Sequence, residues 1–310
     1  RVRESEIVNA HAASPYVAEM TEDTRVHPND GLAAKLKRLY PAPAEMPLPG
    51  LYLCEDLRAL IPAAGAFVYA NFIVSLDGRI ALSAADTRGL KVPDETANPR
   101  DWRLLLELAA PADAIVMSGR YLRQLAAGTA QAWPPFADDA PSELTAFRRS
   151  LGLSAQPTLV IVTRSLDLPG SALECLADRR LIVATVDHAP SGAEEALKGA
   201  NVEVLRLGSE SVDGARLVSA LAERGLRLVY STAGPAVLHM LLNAGVLQRL
   251  YLTTVLRVLG GDAIATLVRG TRLKPPYDFS LSALYLDHNG PDGVAQLMQV
   301  YDRQTASNRL

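Results

Sequence analysis

The sequence predicts an α/β protein with a mixed, mostly parallel central sheet between two layers of helices, and three observations support this prediction. Short apolar runs rich in Val, Ile and Leu recur from residue 67 onwards. Amphipathic helical segments separate most of these runs, as expected where helices cover both faces of a parallel sheet. Hydrophobic residues make up 49% of the 310 residues, which is enough for one large core or two modest ones.

The individual elements follow from the period of the apolar residues. The predicted strands lie at 67–74, 113–118, 158–163, 180–186, 202–207, 226–230 and 248–254. The predicted helices lie at 99–110, 141–150, 192–199, 213–224 and 235–244. Towards the end of the chain, 282–287 and 294–303 predict two antiparallel strands around a glycine-rich turn, which makes the sheet mixed. Residues 123–140, rich in Ala, Gly and Pro, are expected to form a long loop.

The first 50 residues differ from the rest because prolines interrupt them repeatedly. They predict only one short helix, at 31–40, and a second follows at 54–60. We expect residues 1–65 to form a partly helical extension that wraps the core or a partner subunit, with the main domain at 66–310. The alternative for the extension is a disordered tail, because its apolar content is low.

Composition and charge exclude several classes of function. A net charge of -3 with 21% charged residues gives no nucleic-acid footprint. No apolar run approaches the roughly 18 residues that a membrane span needs, and the first ten residues contain no secretory signal. The two cysteines are far apart, as in a cytoplasmic protein with reduced thiols, and the scattered histidines do not predict a metal site.

A turn between a strand and a helix is the best candidate for binding an anion. The predicted strand 226–230 breaks at small residues, and a helix opens after them. Glycine lets the backbone approach a phosphate closely, proline fits the first helical position, and the next amides point at the ligand. The alternative is an ordinary strand-to-helix turn. The predicted phosphate-binding residues are Ala233, Gly234, Pro235, Ala236, Val237 and Leu238.

Four segments, taken in order, resemble one protein family. Residues 75–81 (SLDGRIA) follow the first strand, and 112–119 (ADAIVMSG) form another. Residues 233–246 begin with AGPAVL and end with LLNAGV, and 258–261 are VLGG. The order and spacing resemble the pyrimidine reductase domain of riboflavin biosynthesis, within the wider dihydrofolate-reductase-like superfamily. The resemblance, which covers roughly 66–303, implies a dihydrofolate-reductase-like three-layer fold, a homodimer and NADPH as cofactor.

Two further strand ends are candidates for the adenosine end of NADPH. Gly119 would allow close approach, and Arg120 would pair with the 2′-phosphate that distinguishes NADPH from NADH. Thr163 and Arg164 repeat the same chemistry after the next predicted strand. The alternative is that both arginines are solvated surface residues.

The end of the first strand supplies the predicted catalytic residue, Asp77. A carboxylate at this position would orient a substrate amide or relay a proton. Asn71 and Ser75 lie on the same side of the strand by its period of two and are predicted to bind substrate. The alternative is that Asp77 only hydrogen-bonds its own Asp-Gly turn.

Three departures from the family affect the substrate half of the site. The family has Glu where this chain has Thr232, and that Glu contacts the pyrimidine, so Thr232 is a third predicted substrate residue. The family has an LRA segment where 108–110 are LAA, and Thr followed by DNP or DDP where 121–125 are YLRQL. Each charged hydrogen bond contributes about 1.5–3 kcal/mol, so we expect a reductase scaffold with an altered substrate.

Three hypotheses remain open. The first is an NADPH-dependent reductase of a pyrimidine or pterin-like heterocycle, resembling 5-amino-6-(5-phosphoribosylamino)uracil reductase. It would stand alone, because the H-x-E and P-C-x-x-C motifs of the deaminase in bifunctional members do not occur. The second is a catalytically silent relative that binds NADP(H) or another nucleotide. The third is a non-nucleotide α/β protein whose N-terminal arm mediates assembly.

Overall fold

A computed structural model describes residues 30–83, 90–128, 130, 136, 140–189, 197, 202–262 and 264–304. The helix predicted at 192–199 lies outside these residues except for position 197. The strands are β1 Leu36–Tyr40, β2 Ala44–Met46, β3 Phe67–Ser75, β4 Ala81–Ser83, β5 Leu90–Lys91, β6 Ala114–Ser118, β7 Thr158–Val162, β8 Leu181–Thr185, β9 Val202–Arg206, β10 Leu228–Ser231, β11 Arg249–Val255, β12 Ile264–Ala265, β13 Phe279–Asp287 and β14 Gln296–Arg303. The helices are α1 Asp30–Ala33, α2 Pro99–Ala109, α3 Gly119–Ala126, α4 Ser142–Ser150, α5 Gly170–Glu174, α6 Gly214–Glu223 and α7 Pro235–Asn243.

The main sheet of the described residues has eleven strands in the order β2-β1-β13-β14-β11-β3-β10-β6-β7-β8-β9. The strands from β11 to β9 are parallel, whereas β14, β13, β1 and β2 pair antiparallel. β10 comes late in the chain but lies between β3 and β6. The carboxyl ends of all parallel strands therefore lie at the same edge of the sheet. We call it the ligand edge, because ligands of open α/β sheets bind outside the carboxyl ends of the strands.

Helices cover both faces of the sheet, which gives three layers. One hydrophobic cluster contains buried side chains of α2, α3, α4 and α5 on one face. The other cluster contains buried side chains of α6 and α7 on the opposite face. The parallel strands are apolar along their length because both faces are covered. The predicted α/β class with a mixed, mostly parallel sheet is confirmed.

The described part of the N-terminal segment belongs to the same sheet. The helix expected at 31–40 is wrong beyond its first residues, since α1 ends at Ala33 and Leu36–Tyr40 is strand β1. Pairing with β13 overrides the local helical pattern, and Leu36 is buried in the core. The loop expected at 123–140 is also wrong at its start, where α3 continues to Ala126.

Two carboxylates attach the N-terminal segment and the antiparallel strands to α2. Glu107 of α2 accepts hydrogen bonds from the backbone amides of Gly50 and Tyr52. At the other end of α2, Arg100 donates to Asp287 of β13 at 2.7 Å and to the carbonyls of Gly31 and Ala34. These contacts fix the position of α2 against the sheet.

Candidate active site

A cleft of about 1310 Å³ lies at the ligand edge next to the carboxyl ends of β6 and β7. The first residues of α6 and α7 and the first turn of α3 form its walls. Among the residues predicted to bind cofactor, those that line the cleft are Gly119, Arg120, Thr163, Arg164, Ala236 and Val237. The sheet topology therefore brings the segments that follow β6, β7 and β10, which are distant in sequence, to one cleft.

Positive charge dominates this cleft. Five arginines line it, against three carboxylates: Arg120, Arg123, Arg164, Arg216 and Arg269, with Asp187, Glu210 and Asp213. Asp213 is occupied as the N-cap of α6, where it accepts from two backbone amides. The guanidinium groups of Arg164 and Arg269 have neither a hydrogen bond nor an ion pair with any described residue. The cleft is thus suited to a ligand with several negative charges.

The turn before α7 is open to a ligand but offers fewer amides than the sequence suggested. Gly234 has φ -70° and ψ -175°, and a Cβ added there would meet nothing within 4 Å. The amides of Val237 and Leu238 donate to the Gly234 carbonyl at 3.0 and 3.2 Å. Of the three amides expected to face an anion, only that of Ala236 has no acceptor among the described residues. Leu238 is instead part of the core.

Gly119 has a packing role that the sequence analysis did not foresee. A Cβ on Gly119 would lie 2.8 Å from Oγ1 and 2.9 Å from Cβ of Thr163. The glycine is needed because the first residue of α3 touches the end of β7. Thr163 in turn donates its hydroxyl to the Ser165 carbonyl at 2.6 Å. Both residues line the cleft, and the proton of the Thr163 hydroxyl is already donated to a backbone carbonyl.

Two buried hydroxyls at the end of β10 have no hydrogen-bond partner in the described residues. They belong to Ser231 and Thr232, immediately before the Gly234 turn. A buried polar atom without a partner costs about 1–3 kcal/mol, so a ligand that bonds it recovers that free energy. These hydroxyls lie in the centre of the ligand edge because β10 is flanked by β3 and β6.

Asp77 is held by its own turn and by the neighbouring loop. It accepts from the Ser75 hydroxyl at 2.5 Å and from the amides of Gly260 at 2.8 Å and Leu259 at 3.3 Å. The Ser75 hydroxyl, followed by the Gly260 amide, lowers the pKa of Asp77 to about 2. An ionised carboxylate with these partners anchors the loop at 259–260 and is a poor proton donor near neutral pH.

Polar side chains also meet on the α2 face of the sheet. Asn71 of β3 accepts a hydrogen bond from the Tyr230 hydroxyl. Asp101, in the first turn of α2, is hydrogen-bonded to Thr253 of β11, and burial raises the pKa of Asp101 to about 6. Asp101 is not among the residues predicted from the sequence, although its spacing of three and seven residues from Leu104 and Leu108 places it on the buried stripe of α2.

Comparisons with known proteins decide the family. The model of the RibD C-terminal domain matches residues 66–286 of the chain. This chain belongs to the RibD C-terminal domain family. A relative is the 2,5-diamino-6-ribosylamino-4(3H)-pyrimidinone 5′-phosphate reductase of Aquifex aeolicus, with 26% identity over 203 residues, which are 65% of this chain and 81% of the relative. The family assignment confirms the resemblance found in the sequence and the oxidoreductase class.

Solved structures similar to this member of the RibD family show the same fold. A pyrimidine reductase-like protein from Corynebacterium diphtheriae aligns with a TM-score of 0.59 at 19% identity, covering 77% of this chain and 92% of that one. The riboflavin biosynthesis reductase Rib7 of Saccharomyces cerevisiae aligns with a TM-score of 0.51 at 16% identity, covering 82% and 99%. Among the described residues, no helix is long and apolar enough to cross a membrane.

The structure shows which departures from the family pattern can meet a ligand. Residues 108–110, which replace the LRA segment of the family, are fully buried, so they do not reach a ligand. Thr232, at the position of the family's Glu, offers only a hydroxyl. The matched region starts at residue 66, so β1 and β2 are additions to the sheet outside it.

Proposed function

We propose that this protein is an NADPH-dependent reductase of a ribosylamino-pyrimidine or a related pterin-like heterocycle. The observation that carries the proposal is the arginine-lined cleft at the ligand edge, whose lining includes Ala236, two residues after Gly234, in a chain of the RibD family. NADPH carries a diphosphate and a 2′-phosphate. The arginines of the cleft would neutralise the negative charge of these three phosphate groups.

The residues of the cleft fit NADPH. The missing side chain at Gly234 leaves room for a diphosphate, and the free amide of Ala236 at the start of α7 would donate to it. Arg164, at the end of β7, would bind the 2′-phosphate. The bound cofactor would supply a hydride. The protein would orient its ring towards the centre of the ligand edge, near the unpartnered hydroxyls of Ser231 and Thr232.

The substrate would lie over the ends of β3 and β10, next to Asn71, Ser75 and Thr232. The Aquifex relative is named for a ribosylamino-pyrimidine phosphate, and we infer the same chemical class here. The fixed position of Asp77 would keep the loop at 259–260 in place beside the substrate. The hydroxyl of Thr232, in place of the family's Glu, favours a substrate that differs from the usual one in its polar groups.

The proposal includes a homodimer in the cytoplasm, as the resemblance implies. Cys54 and Cys175 are both unpaired and exposed, which suits a reducing compartment. Light scattering during gel filtration would measure the mass in solution, and a monomer at micromolar concentration would contradict the dimer.

The proposed function is tested by titration and turnover with the intact protein. We expect NADPH to raise the melting temperature and to be oxidised in the presence of a ribosylamino-pyrimidine 5′-phosphate. Binding without oxidation across a panel of pyrimidines and pterins would support the silent relative instead, which the loss of charge at Thr232 favours. No stabilisation by NADPH or NADH would contradict both functions.

A further inference from the structure

The chain returns to the cleft after β12, in a segment at 266–273 to which the proposed function has given no role. The backbone amide of Arg269 donates to the carbonyl of Pro235, the first residue of α7, at 3.2 Å. Arg269 and Thr271 both line the cleft. The backbone of Arg269 therefore touches the turn at Gly234, where the diphosphate of NADPH is proposed to bind.

A histidine of α7 holds the 266–273 segment in place. Nε2 of His239 is hydrogen-bonded to the Thr271 carbonyl at 2.7 Å. Because a carbonyl only accepts, Nε2 carries the proton. Gly270 lies against the imidazole ring, since a Cβ added there would be 2.3 Å from the ring carbons of His239. The histidine thus bonds and contacts the two residues that follow Arg269.

Apolar side chains anchor the segment on both sides of Arg269. Leu267 and Val268 precede it, and Leu273 follows it. All three pack against the hydrophobic cluster that contains α6 and α7. Arg272 is exposed like Arg269 but does not line the cleft. The anchored segment therefore presents one of its two arginines to the ligand.

The guanidinium of Arg269 is available to a ligand. It is exposed, and it has neither a hydrogen bond nor an ion pair with any described residue. Arg123 and Arg216, by contrast, donate to the backbone carbonyls of Asp167 and Arg206. The position of Arg269 is fixed through its backbone while its charge is left without a partner in the described chain.

Arg269 and Arg164 lie at different strand ends. Arg164 follows β7, whereas Arg269 lies beside α7, which follows β10. β6 separates these two strands in the sheet, so their ends are roughly 10 Å apart. A dinucleotide that lies across the strand ends would therefore present different phosphate groups to the two arginines.

We propose that Arg269 binds the diphosphate of NADPH and that His239 is a positioning residue, which keeps Arg269 at the Gly234 turn. This inference rests on the proposed function. The turn itself offers only the Ala236 amide, whereas a guanidinium adds a positive charge and two parallel N–H donors for phosphate oxygens. The diphosphate is common to NADPH and NADH, so Arg269 serves both coenzymes and Arg164 distinguishes them.

The first test separates the two arginines by coenzyme. We expect Arg269→Gln to raise the Kd for both NADPH and NADH about tenfold in calorimetric titrations, because a charged hydrogen bond to their shared diphosphate is lost. Arg164→Gln should weaken NADPH alone. Arg272→Gln removes the same charge from the same segment outside the cleft and should change neither Kd. An unchanged Kd in Arg269→Gln, a loss confined to NADPH, or an equal loss in Arg272→Gln would overturn the inference.

The second test asks whether His239 acts through Arg269. His239→Ala removes the bond to Thr271 and the contact with Gly270, so the Kd for NADPH should rise severalfold. The same change made in Arg269→Gln should have no further effect, which a double-mutant cycle measures. His239→Gln keeps an N–H donor for the Thr271 carbonyl and should retain most of the affinity. Additive losses in the double variant would overturn the positioning role, since a histidine that is only structural would act independently of Arg269.

Failure of this inference can be distinguished from failure of the proposed function. If the wild type binds NADPH and Arg269→Gln binds it equally well, only the role of Arg269 is overturned. If the wild type binds neither NADPH nor NADH, the proposed function is overturned first. Melting temperatures of all variants, measured without coenzyme, should match that of the wild type within a few degrees, because the changes lie on the cleft surface.

Discussion

The two halves of the ligand edge differ in how their polar groups are satisfied. In the cofactor half, around β6, β7 and α7, two arginines and two buried hydroxyls lack partners among the described residues. In the substrate half, around β3, β11 and α2, polar side chains are bonded to one another, as in Asp77 with Ser75 and Asn71 with Tyr230. The first half is built to receive a charged ligand, and the second is built to keep its own geometry.

This difference explains why the two halves match the family unevenly. A phosphate can be bound by any cluster of cations and amides, so the cofactor half needs only the Gly234 turn and arginines on the walls. The substrate half needs specific side chains at fixed positions, and this chain has Thr232 where the family has a charged side chain. The scaffold can therefore persist while the substrate changes.

The largest expected effect concerns the network beneath the substrate half. Asp287→Ala leaves Arg100 buried without its carboxylate, and both side chains are at most 3% exposed. Breaking a buried pair in this way should lower the free energy of unfolding by about 3–5 kcal/mol, measured by urea denaturation. Glu45→Ala removes an exposed partner of Lys35 and should change it by less than about 1 kcal/mol. Equal losses would show that the Arg100 network does not hold α2.

A change at the cofactor half should instead leave stability intact. Gly234→Asp fits the backbone at φ -70° and meets open space, but it places a negative charge where the diphosphate would lie. We expect the Kd for NADPH to rise at least tenfold, about 1.4 kcal/mol, in a calorimetric titration. Gly170→Asp, at the start of α5 and also facing open space, makes the same change away from the cleft and should leave the Kd unchanged.

The adenosine end should contribute a similar or smaller amount. Arg164→Gln removes a guanidinium that has no partner in the described chain. A charged hydrogen bond contributes about 1.5–3 kcal/mol, and solvent exposure reduces this, so we expect about tenfold weaker NADPH binding and unchanged NADH binding. Arg149→Gln, on the exposed side of α4, is the control. An equal loss for both coenzymes would show that Arg164 does not read the 2′-phosphate.

The smallest effect is expected for a change at Asp77, which lies in the substrate half. Asp77→Asn weakens the anchor of Leu259 and Gly260, so turnover should slow severalfold while NADPH affinity is kept. The folded pKa of about 2 lies below 3.8, so the charge of Asp77 stabilises the fold above pH 3.8 and this contribution is lost as pH falls through 2. Equal melting temperatures of variant and wild type at every pH would contradict this.

The parallel half of the fold could be predicted because its strands are long apolar runs separated by amphipathic helices. The strands β2, β4, β5 and β12 are only two or three residues long and have no period to detect. β1 was predicted to be helical because its pairing with β13 is nearly 250 residues away in sequence and leaves no local signal.

Site residues could be predicted where they lie in one local turn of the sequence. They could not be predicted where the fold brings distant segments of the chain together. The Gly234 turn is a local pattern, whereas Arg216 and Arg269 reach the cleft only because the chain returns to it. Asp101 carries no distinctive motif, because an acidic residue in the first helical turn is common on protein surfaces. Its burial results from packing against β11.

The central claim is that the diphosphate of NADPH binds at the turn before α7. A crystal structure of the protein grown with NADPH tests it most directly. We expect diphosphate oxygens within hydrogen-bond distance of the Ala236 amide, with the adenosine end beside Arg164. A coenzyme bound in another part of the molecule, with water alone at Gly234, would contradict it.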